Sequence, residues 1–212
     1  NYNWANKYYV NGNFRRDGYS AFGANCKRAW FPSVSAAWVF TKEPFFANSS
    51  WLTYGKLRFS WGENGNRRIG RYAALPLLKT SKYAHMLSDG TIENISRYTL
   101  GMVNNDLKWE RTGAYNLGLD FGILDDVLTG SIEAYTGTTT DLLTSMSLPD
   151  IIGTSSVTTN IGSLRNRGIE VTLNSTIMNR PNFKWNAGLT FSMNRREIVS
   201  LYGDMEDILD EQ

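Results

Sequence analysis

Apolar and polar residues alternate along this chain with a period of two, in segments of about ten residues. In a β-strand, successive side chains point to opposite faces, so this alternation separates an apolar face from a polar one. The clearest segment is Phe183 to Asn194, where aromatic and aliphatic residues alternate with lysine, asparagine, threonine and serine. The pattern predicts a strand with one apolar and one polar face.

Seven segments show this pattern, and each ends near the glycine, asparagine or aspartate residues that favour turns. No amphipathic helical pattern interrupts them. The segments are Tyr8 to Arg15, Ser33 to Phe40, Lys56 to Trp61, Ala114 to Phe121, Leu128 to Tyr135, Ile169 to Asn174 and Phe183 to Asn194. We therefore expect an all-β fold of about seven antiparallel strands.

Segment length separates soluble from membrane β-proteins. Strands of soluble proteins usually have about 5 to 6 residues, whereas strands that cross a membrane need about 9 to 11. Five of the seven segments have 8 to 12 residues, closer to the longer value, which favours a piece of a transmembrane β-barrel. Aromatic residues also lie near segment ends, as they do at the two interfaces of such barrels. They are Trp30, Phe31, Trp38, Trp61, Trp109, Phe183 and Trp185.

The charged residues within the segments predict which face meets lipid. An arginine or lysine that faces lipid at the membrane midplane costs about 2–4 kcal/mol. We therefore expect Lys56, Arg58, Glu170 and Lys184 to face a water-filled lumen, and the apolar faces to meet lipid.

The connections alternate between short and long, as in outer-membrane barrels. Ile123 to Val127 and Asn179 to Asn182 are expected to be tight turns. Residues 62–106 and 136–160 show little periodicity, and we expect them to be long loops on the external, substrate side. The acidic segment Gly203 to Gln212 is interpreted as a solvated loop rather than a calcium site.

The composition argues against nucleic acid as a partner and against transmembrane helices. Lysine and arginine total 22 against 20 for aspartate and glutamate, and no run of like charge predicts a nucleic-acid groove. No apolar run approaches the roughly 18 residues of a transmembrane helix. Residues 1–10 lack the pattern of a signal peptide, and we expect Asn1 to be an internal point of a longer protein. The single cysteine, Cys26, is expected to be a buried or lipid-facing thiol rather than a reactive one.

The sequence offers little for metal or cofactor chemistry. His85 is the only histidine, so a metal cluster or catalytic triad would depend on one residue, and we interpret it as a surface loop residue. Gly62, Gly65 and Gly70 lack the spacing of a phosphate-binding loop, and we expect them to turn the chain out of a strand. We therefore predict no metal and no cofactor.

Two pairs of neighbouring charges are weak candidates for acid–base catalysis. Asp17 follows Arg15 and Arg16, and Asp125 precedes Asp126. Both pairs are interpreted as turn residues without a convergent pocket. We predict no catalytic residue, so the protein is not expected to be an enzyme.

Several strings along the chain resemble the TonB-dependent receptors of the SusC/RagA type, known from Bacteroidetes. Their order along the chain also matches that family. The strings are FRRDG at 14–18, FG at 22–23, FPSVSAAW at 31–38, LRFSWGENGN at 57–66, NDLKWE at 105–110, NLGLDF at 116–121, TTDLL at 139–143 and NIGSLRNRGIE at 160–170. The string at residues 135–138, YTGT, departs from the family pattern, as does Cys26.

The resemblance implies a transmembrane barrel of roughly 22 strands with a plugged lumen, of which this chain supplies about a third towards the C-terminal half. Residues 1–212 would then be a partial barrel domain, with the plug domain and the remaining strands outside the chain. The implied protein lies in the bacterial outer membrane and imports glycans, oligosaccharides or peptides. The resemblance also implies two protein partners. One is a SusD-like surface lipoprotein, and the other is TonB, which would bind through the missing N-terminal part.

Three tyrosines in the first long loop are candidates for substrate contact, because aromatic rings stack on sugars: Tyr72, Tyr83 and Tyr98. Packing within the loop is the simpler interpretation of each ring. Two other functions stay open at this point. A soluble all-β carbohydrate-binding module would bury the apolar faces in a core, and a passive porin would need no TonB.

Overall fold

The computed structural model describes residues 1–46, 49–71, 74–75, 78–100, 102–149, 151 and 156–201. These residues form twelve strands and two 3-10 helices, Phe40–Lys42 and Pro44–Phe46. The strands are β1 (Tyr2–Trp4), β2 (Tyr8–Gly18), β3 (Arg28–Trp38), β4 (Leu52–Asn66), β5 (Leu78–Met86), β6 (Ile92–Leu100), β7 (Glu110–Ile123), β8 (Leu128–Thr140), β9 (Leu143–Ser147), β10 (Ser156–Asn160), β11 (Ser163–Arg180) and β12 (Phe183–Ser200). No helix in this described part of the chain combines the length and the apolar character needed to cross a bilayer.

Eight of the strands form one antiparallel sheet in the order β1-β2-β3-β4-β7-β8-β11-β12. Six of the seven predicted segments lie wholly in this sheet, and the seventh, Ser33 to Phe40, extends past the end of β3 at Trp38. The sheet confirms the all-β, antiparallel fold. The seven strands have 11 to 18 residues, which is long enough to cross a membrane. The eighth strand, β1, has 3 residues, too few for an alternating pattern to be visible in the sequence.

The pairing register turns the alternation of each strand into two continuous faces of the sheet. An apolar row crosses six strands through directly opposed partners: Ala36, Phe59, Leu117, Ala134, Ile169 and Met193. A neighbouring polar row crosses five strands on the opposite face: Asn11, Ser35, Ser60, Asn116 and Tyr135. Apolar side chains remain well exposed on their face, for example Leu117 at 51% and Met193 at 58%.

Both predicted tight turns are present at one end of the sheet. In the β7–β8 turn, Leu124, Asp125 and Asp126 have φ values of 54°, 55° and 63°. Aspartate tolerates this left-handed region better than most residues because its side chain bonds locally to the backbone. The β11–β12 turn consists of Pro181 and Asn182. Because periplasmic turns of barrels are short, we name this end of the sheet the periplasmic end and the opposite end the external end, after the predicted orientation.

The two predicted long loops are partly wrong in extent, because both contain strands. β4 continues to Asn66 and β8 to Thr140, and two separate hairpins, β5–β6 and β9–β10, lie within the connections. The residues of β5 and β6 do not alternate between apolar and polar, so the sequence carried no strand pattern there. The YTGT string lies inside β8, which pairs with both neighbours there. Residues 203–212 lie outside the described residues.

The glycines that were expected to end β4 lie within it or beyond it. Gly62 and Gly65 belong to β4, and Gly70 follows in the connection. A Cβ atom on Gly65 would lie 2.1 Å from Cζ of Phe31. Gly65 is therefore needed for the close approach of the Phe31 ring rather than for a turn. His85 is exposed but lies in β5, so its assignment to a loop was wrong.

Cys26 lies in the connection between β2 and β3, at the external end of the sheet. Its side chain is half-buried, and its backbone N–H donates to the carbonyl of Gly23 over 3.1 Å. The residue is therefore in a turn, not on the lipid-facing side of a strand.

A carboxylate ties together the periplasmic end of the sheet. Glu43 follows the first 3-10 helix and accepts hydrogen bonds from Tyr8 Oη at 2.7 Å, Lys7 Nζ at 3.2 Å and Trp38 Nε1 at 3.3 Å. The Tyr8 and Trp38 rings stack, with centroids 6.4 Å apart. The hydrogen bond from Tyr8, followed by those from Lys7 and Trp38, lowers the pKa of Glu43.

Glu43→Gln is expected to lower the melting temperature of the protein at pH 7. A carboxyl whose folded pKa lies below its unfolded value adds stability above the unfolded pKa, about 4.3 for glutamate, and loses it as the pH falls through the folded pKa. The difference between variant and wild type should therefore shrink below pH 4.3. Thermal unfolding of the full-length protein at several pH values measures it, with Glu93→Gln in the exposed hairpin as control. An equal difference at pH 7 and pH 3 would show that Glu43 acts without its charge.

Candidate functional site: the polar face and the external end of the sheet

The polar face of the sheet is organised around one arginine. Arg58, on β4, donates from Nε and Nη2 to the two carboxylate oxygens of Asp120 on β7, each over 2.8 Å. Its Nη2 also donates to Glu133 Oε1 on β8 over 2.7 Å. Asn116 Nδ2 donates to the other oxygen of Glu133 over 3.3 Å. These bonds join three adjacent strands through the side chains of one face.

A glycine makes this arrangement possible. The residue directly opposite Arg58 on β7 is Gly118, and the residue opposite Gly118 on β8 is Glu133. A Cβ atom on Gly118 would lie 3.0 Å from Arg58 Nη2. Because Gly118 has no side chain, the guanidinium crosses β7 and reaches Glu133 without obstruction.

The four charged residues predicted to face a lumen lie on the polar face. Lys56 and Arg58 alternate with the apolar residues of β4, and Lys184 does so on β12. Glu170 on β11 stands directly opposite Glu133 and Ser192. Sequence reasoning did not single out the partners of Arg58, because strand alternation gives the face of a residue but not the register that brings strands together.

The buried core lies at the external end of the sheet. Its members come from three connections and β3: Phe22, Ala29, Phe31, Ala74, Leu107 and Trp109. The Phe22 and Phe31 rings contact Trp109, with centroid distances of 5.0 and 5.6 Å. Leu107 is fully buried. This core packs the external connections against the sheet. It therefore fixes the arrangement of these connections at the external end.

A polar cleft of about 460 Å³ lies against this core. Its lining includes Arg15, Asp17, Arg67 and Trp109. Arg15 Nε bonds to Asp17 Oδ2 over 3.0 Å, and Arg67 Cζ lies 5.0 Å from the centroid of the Tyr19 ring. The buried Trp109 Nε1 has no hydrogen-bond partner among the described residues. The guanidinium groups of Arg15 and Arg67 therefore supply the N–H donors of this cleft, whereas Trp109 Nε1 is buried beneath it.

The prediction that Asp17 lies in a turn is wrong, and its actual position explains its ion pair with Arg15. Arg15 and Asp17 lie within β2, two residues apart on one face, and not in a turn. Asp125 and Asp126 do lie in a turn, as predicted. Neither pair converges with a nucleophile in the described residues. No group of three or more metal-ligating side chains occurs among the residues that the structure describes.

Polar contacts tie the two external connections to each other. The side chain of Asn160 bonds to both backbone groups of Lys108, with Oδ1 accepting from N and Nδ2 donating to O, each over 2.9 Å. It also donates to the carbonyl of Asp141, and Lys108 Nζ pairs with Asp141 Oδ1 over 3.0 Å. The β9–β10 hairpin is therefore fastened to the segment that precedes β7.

The three tyrosines proposed for substrate contact are only partly placed. Tyr72 lies outside the described residues. The backbone of Tyr83 lies in β5 opposite Ile95, and that of Tyr98 in β6 opposite Thr80. Both belong to the external β5–β6 hairpin, and their role in binding stays a prediction.

Comparisons with known proteins agree with the architecture. The family described as "TonB dependent receptor-like, beta-barrel" matches residues 1–207. The chain is 37% identical over 201 residues to TonB-dependent receptor P3 of Formosa agariphila, a match that covers 95% of this chain and 20% of that protein. It is 36% identical over 208 residues to TonB-dependent receptor SusC of Bacteroides thetaiotaomicron, covering 96% and 20%.

A solved structure shows the same fold. The RagAB peptide transporter matches with a TM-score of 0.79 and 30% identity, covering 94% of this chain and 21% of that chain. The chain spans about one fifth of the length of the relatives that it matches. The sheet described above is thus a portion of a larger barrel architecture.

Proposed function

Because this chain belongs to the TonB-dependent receptor-like β-barrel family, with relatives of the SusC/RagA type, we propose that it forms part of the wall of an outer-membrane nutrient importer. Residues 1–212 would be a partial barrel domain, completed by strands and a plug domain elsewhere in the protein. The observation that carries the proposal is the sorting of side chains across the seven long paired strands into one apolar and one polar face.

The two faces then have different surroundings. Lipid would cover the apolar face, since apolar side chains such as Leu117 and Met193 are half-exposed there. The polar face would line the lumen, where water solvates charged groups that hydrocarbon would not. The Arg58–Asp120–Glu133 network would brace three strands of the wall and present a fixed charged surface to the lumen.

The external end would meet substrate and partner. The relatives include a SusC and a RagAB peptide transporter, so we propose glycans, oligosaccharides or peptides as the substrate and a SusD-like lipoprotein as the surface partner. The cleft beside Trp109, with the guanidinium groups of Arg15 and Arg67, suits substrate oxygen atoms. Energy would arrive through TonB, which would contact a part of the protein outside this chain.

The two other functions are less well supported. A soluble carbohydrate-binding module would need a second layer over the apolar face, and the described residues supply none. A passive porin would not depend on TonB, whereas the matching family is named for that dependence. No feature of the residues that the structure describes favours catalysis.

The test uses the full-length protein with an affinity tag, purified from outer membranes in mild detergent. We expect a lipoprotein to copurify and cells to accumulate a labelled oligosaccharide or peptide. Deleting tonB should abolish that accumulation while the level of the protein in the outer membrane stays unchanged. Recovery of the protein in the soluble fraction would contradict the proposal, and accumulation that persists without TonB would favour a porin.

A further inference from the structure

The outward face of the sheet changes character abruptly at its external edge. On β11, the apolar residues Val171 and Ile169 are followed along the same face by Arg167 and Arg165. On β12, Phe191 and Met193 are followed by Arg195. Successive residues on one face are about 7 Å apart along a strand. Guanidinium groups therefore stand immediately beyond the apolar surface, at the level where lipid headgroups begin.

Two of these arginines are placed directly opposite each other. Arg167 of β11 pairs in register with Arg195 of β12. Like charges at directly opposed positions of a sheet repel each other and destabilise the pairing. The carboxylate of Glu197 lies 3.7 Å from Arg167 Nη2, and Glu197 stands directly opposite Arg165 in the sheet. One carboxylate for three arginines leaves a net positive cluster, which we call the β11–β12 arginine cluster (Arg165, Arg167 and Arg195).

The same combination recurs at the other side of the sheet. Arg16 of β2 stands opposite Trp30 of β3, and its Cζ lies 4.8 Å from the Trp30 ring centroid. The Phe14 ring stacks on Trp30 with centroids 4.7 Å apart. Arg28, opposite Gly18, is exposed on this face one position further out. Arginine again lies just beyond exposed aromatic rings on the outward face.

We propose that the β11–β12 arginine cluster binds the phosphate group of a lipid in the outer leaflet, whose acyl chains lie on the apolar residues below. This proposal rests on the proposed function, since it requires the apolar face to meet a membrane. Guanidinium groups bind phosphate oxygens through paired hydrogen bonds. A phosphate between Arg167 and Arg195 would cancel their repulsion, and Ile169 and Met193 lie one step along the same strands to contact the chains.

The test compares full-length protein with the Arg167→Gln/Arg195→Gln double variant in nonionic detergent, with dipalmitoyl phosphatidic acid as the probe. Binding is followed by native mass spectrometry. Each arginine near a lipid phosphate contributes about fivefold in affinity, so the double variant should bind about twenty-five-fold more weakly. The matched control is Arg196→Gln, which changes the neighbouring residue of β12 on the opposite, polar face and should leave binding unchanged.

Three further outcomes decide the proposal. Dipalmitoylglycerol, which lacks the phosphate, should bind wild type and double variant alike, and inorganic phosphate should compete poorly because it lacks acyl chains. Equal binding of phosphatidic acid to wild type and double variant would overturn the proposal, as would full displacement by inorganic phosphate. In lipid-free detergent, the double variant should melt no lower than the wild type, because the repulsion between the two arginines is gone, and this shows that the double variant folds.

The outcomes for this site and for the proposed function are separable. Fractionation of cells shows whether the wild-type protein reaches the outer membrane, independently of the arginines. Both proposals are supported if the wild type and both variants reach the outer membrane equally and only the double variant loses lipid binding. An outer-membrane protein whose lipid binding ignores Arg167 and Arg195 would retain the proposed function and reject the lipid site.

Discussion

Leu189→Arg is expected to destabilise the protein in a bilayer by about 2–4 kcal/mol, the cost of arginine on the lipid face at the midplane. Leu189 lies midway along the apolar run of β12 from Trp185 to Met193, and its side chain is 62% exposed. Because a side chain this exposed loses little packing on substitution, a loss of that size would report on the surroundings of the apolar face.

The matched control is the next residue along the same strand. Thr190 points to the polar face, where Thr172 is its partner on β11. Thr190→Arg should change the free energy of unfolding by less than about 0.5 kcal/mol, as surface substitutions usually do. Urea unfolding of the full-length protein in lipid vesicles measures both variants. Equal losses for the two arginines, or no loss for either, would contradict a lipid-facing apolar surface.

Arg58→Ala is expected to cost about 2–4 kcal/mol, because it removes three charge-assisted hydrogen bonds and leaves two carboxylates without their cation. The side chains of Arg58, Asp120 and Glu133 are 32%, 25% and 29% exposed, so water compensates only part of the loss. Glu170 stands directly opposite Glu133, which adds a third negative charge to the region.

The variant Lys56→Ala provides the control for Arg58→Ala. Lys56 lies two residues away on the same strand and face. It forms no salt bridge with any of the described residues. Its removal should cost less than about 0.5 kcal/mol. Adding Asp120→Asn and Glu133→Gln to Arg58→Ala should recover part of the lost stability, as measured by the same unfolding experiment. A loss that persists in full in this triple variant would show that the carboxylate charges are not its cause.

Alternation was sufficient to find the main strands because each one is apolar on one side and polar on the other. It failed where that contrast is missing. The strands β5 and β6 form a separate two-stranded hairpin in which apolar and polar residues do not alternate. Such a hairpin is held by backbone pairing, which leaves no trace in the pattern of side chains.

The candidate site was predictable in part for a related reason. The alternation placed Arg58 and Glu170 on the polar face, because that conclusion needs only one strand at a time. The bonds from Arg58 to Asp120 and Glu133 join residues 62 and 75 positions apart. They follow from the register of three strands, and from the open space over Gly118, neither of which a single strand encodes.

The external core shows a third limit of the sequence pattern. Leu107 and Trp109 lie in an irregular segment without period, yet they are among the most buried residues described. Their burial comes from packing against Phe22 and Phe31, which precede them by more than seventy residues. The resemblance to the family drew attention to the NDLKWE string, but packing explains why its leucine and tryptophan are needed.

The most direct test of a membrane-spanning wall is a spin-label scan of β12 in the full-length protein, in lipid vesicles and with Cys26 replaced by serine. Each residue from Trp185 to Asn194 is changed in turn to a labelled cysteine, and its accessibility to oxygen and to a water-soluble nickel chelate is measured. The sheet predicts opposite period-two patterns, with oxygen favoured at Ala187, Leu189, Phe191 and Met193 and nickel favoured at the residues between them. If the nickel chelate reaches the residues of both faces equally, or reaches neither face, there is no alternation. Either result would contradict a membrane-spanning wall.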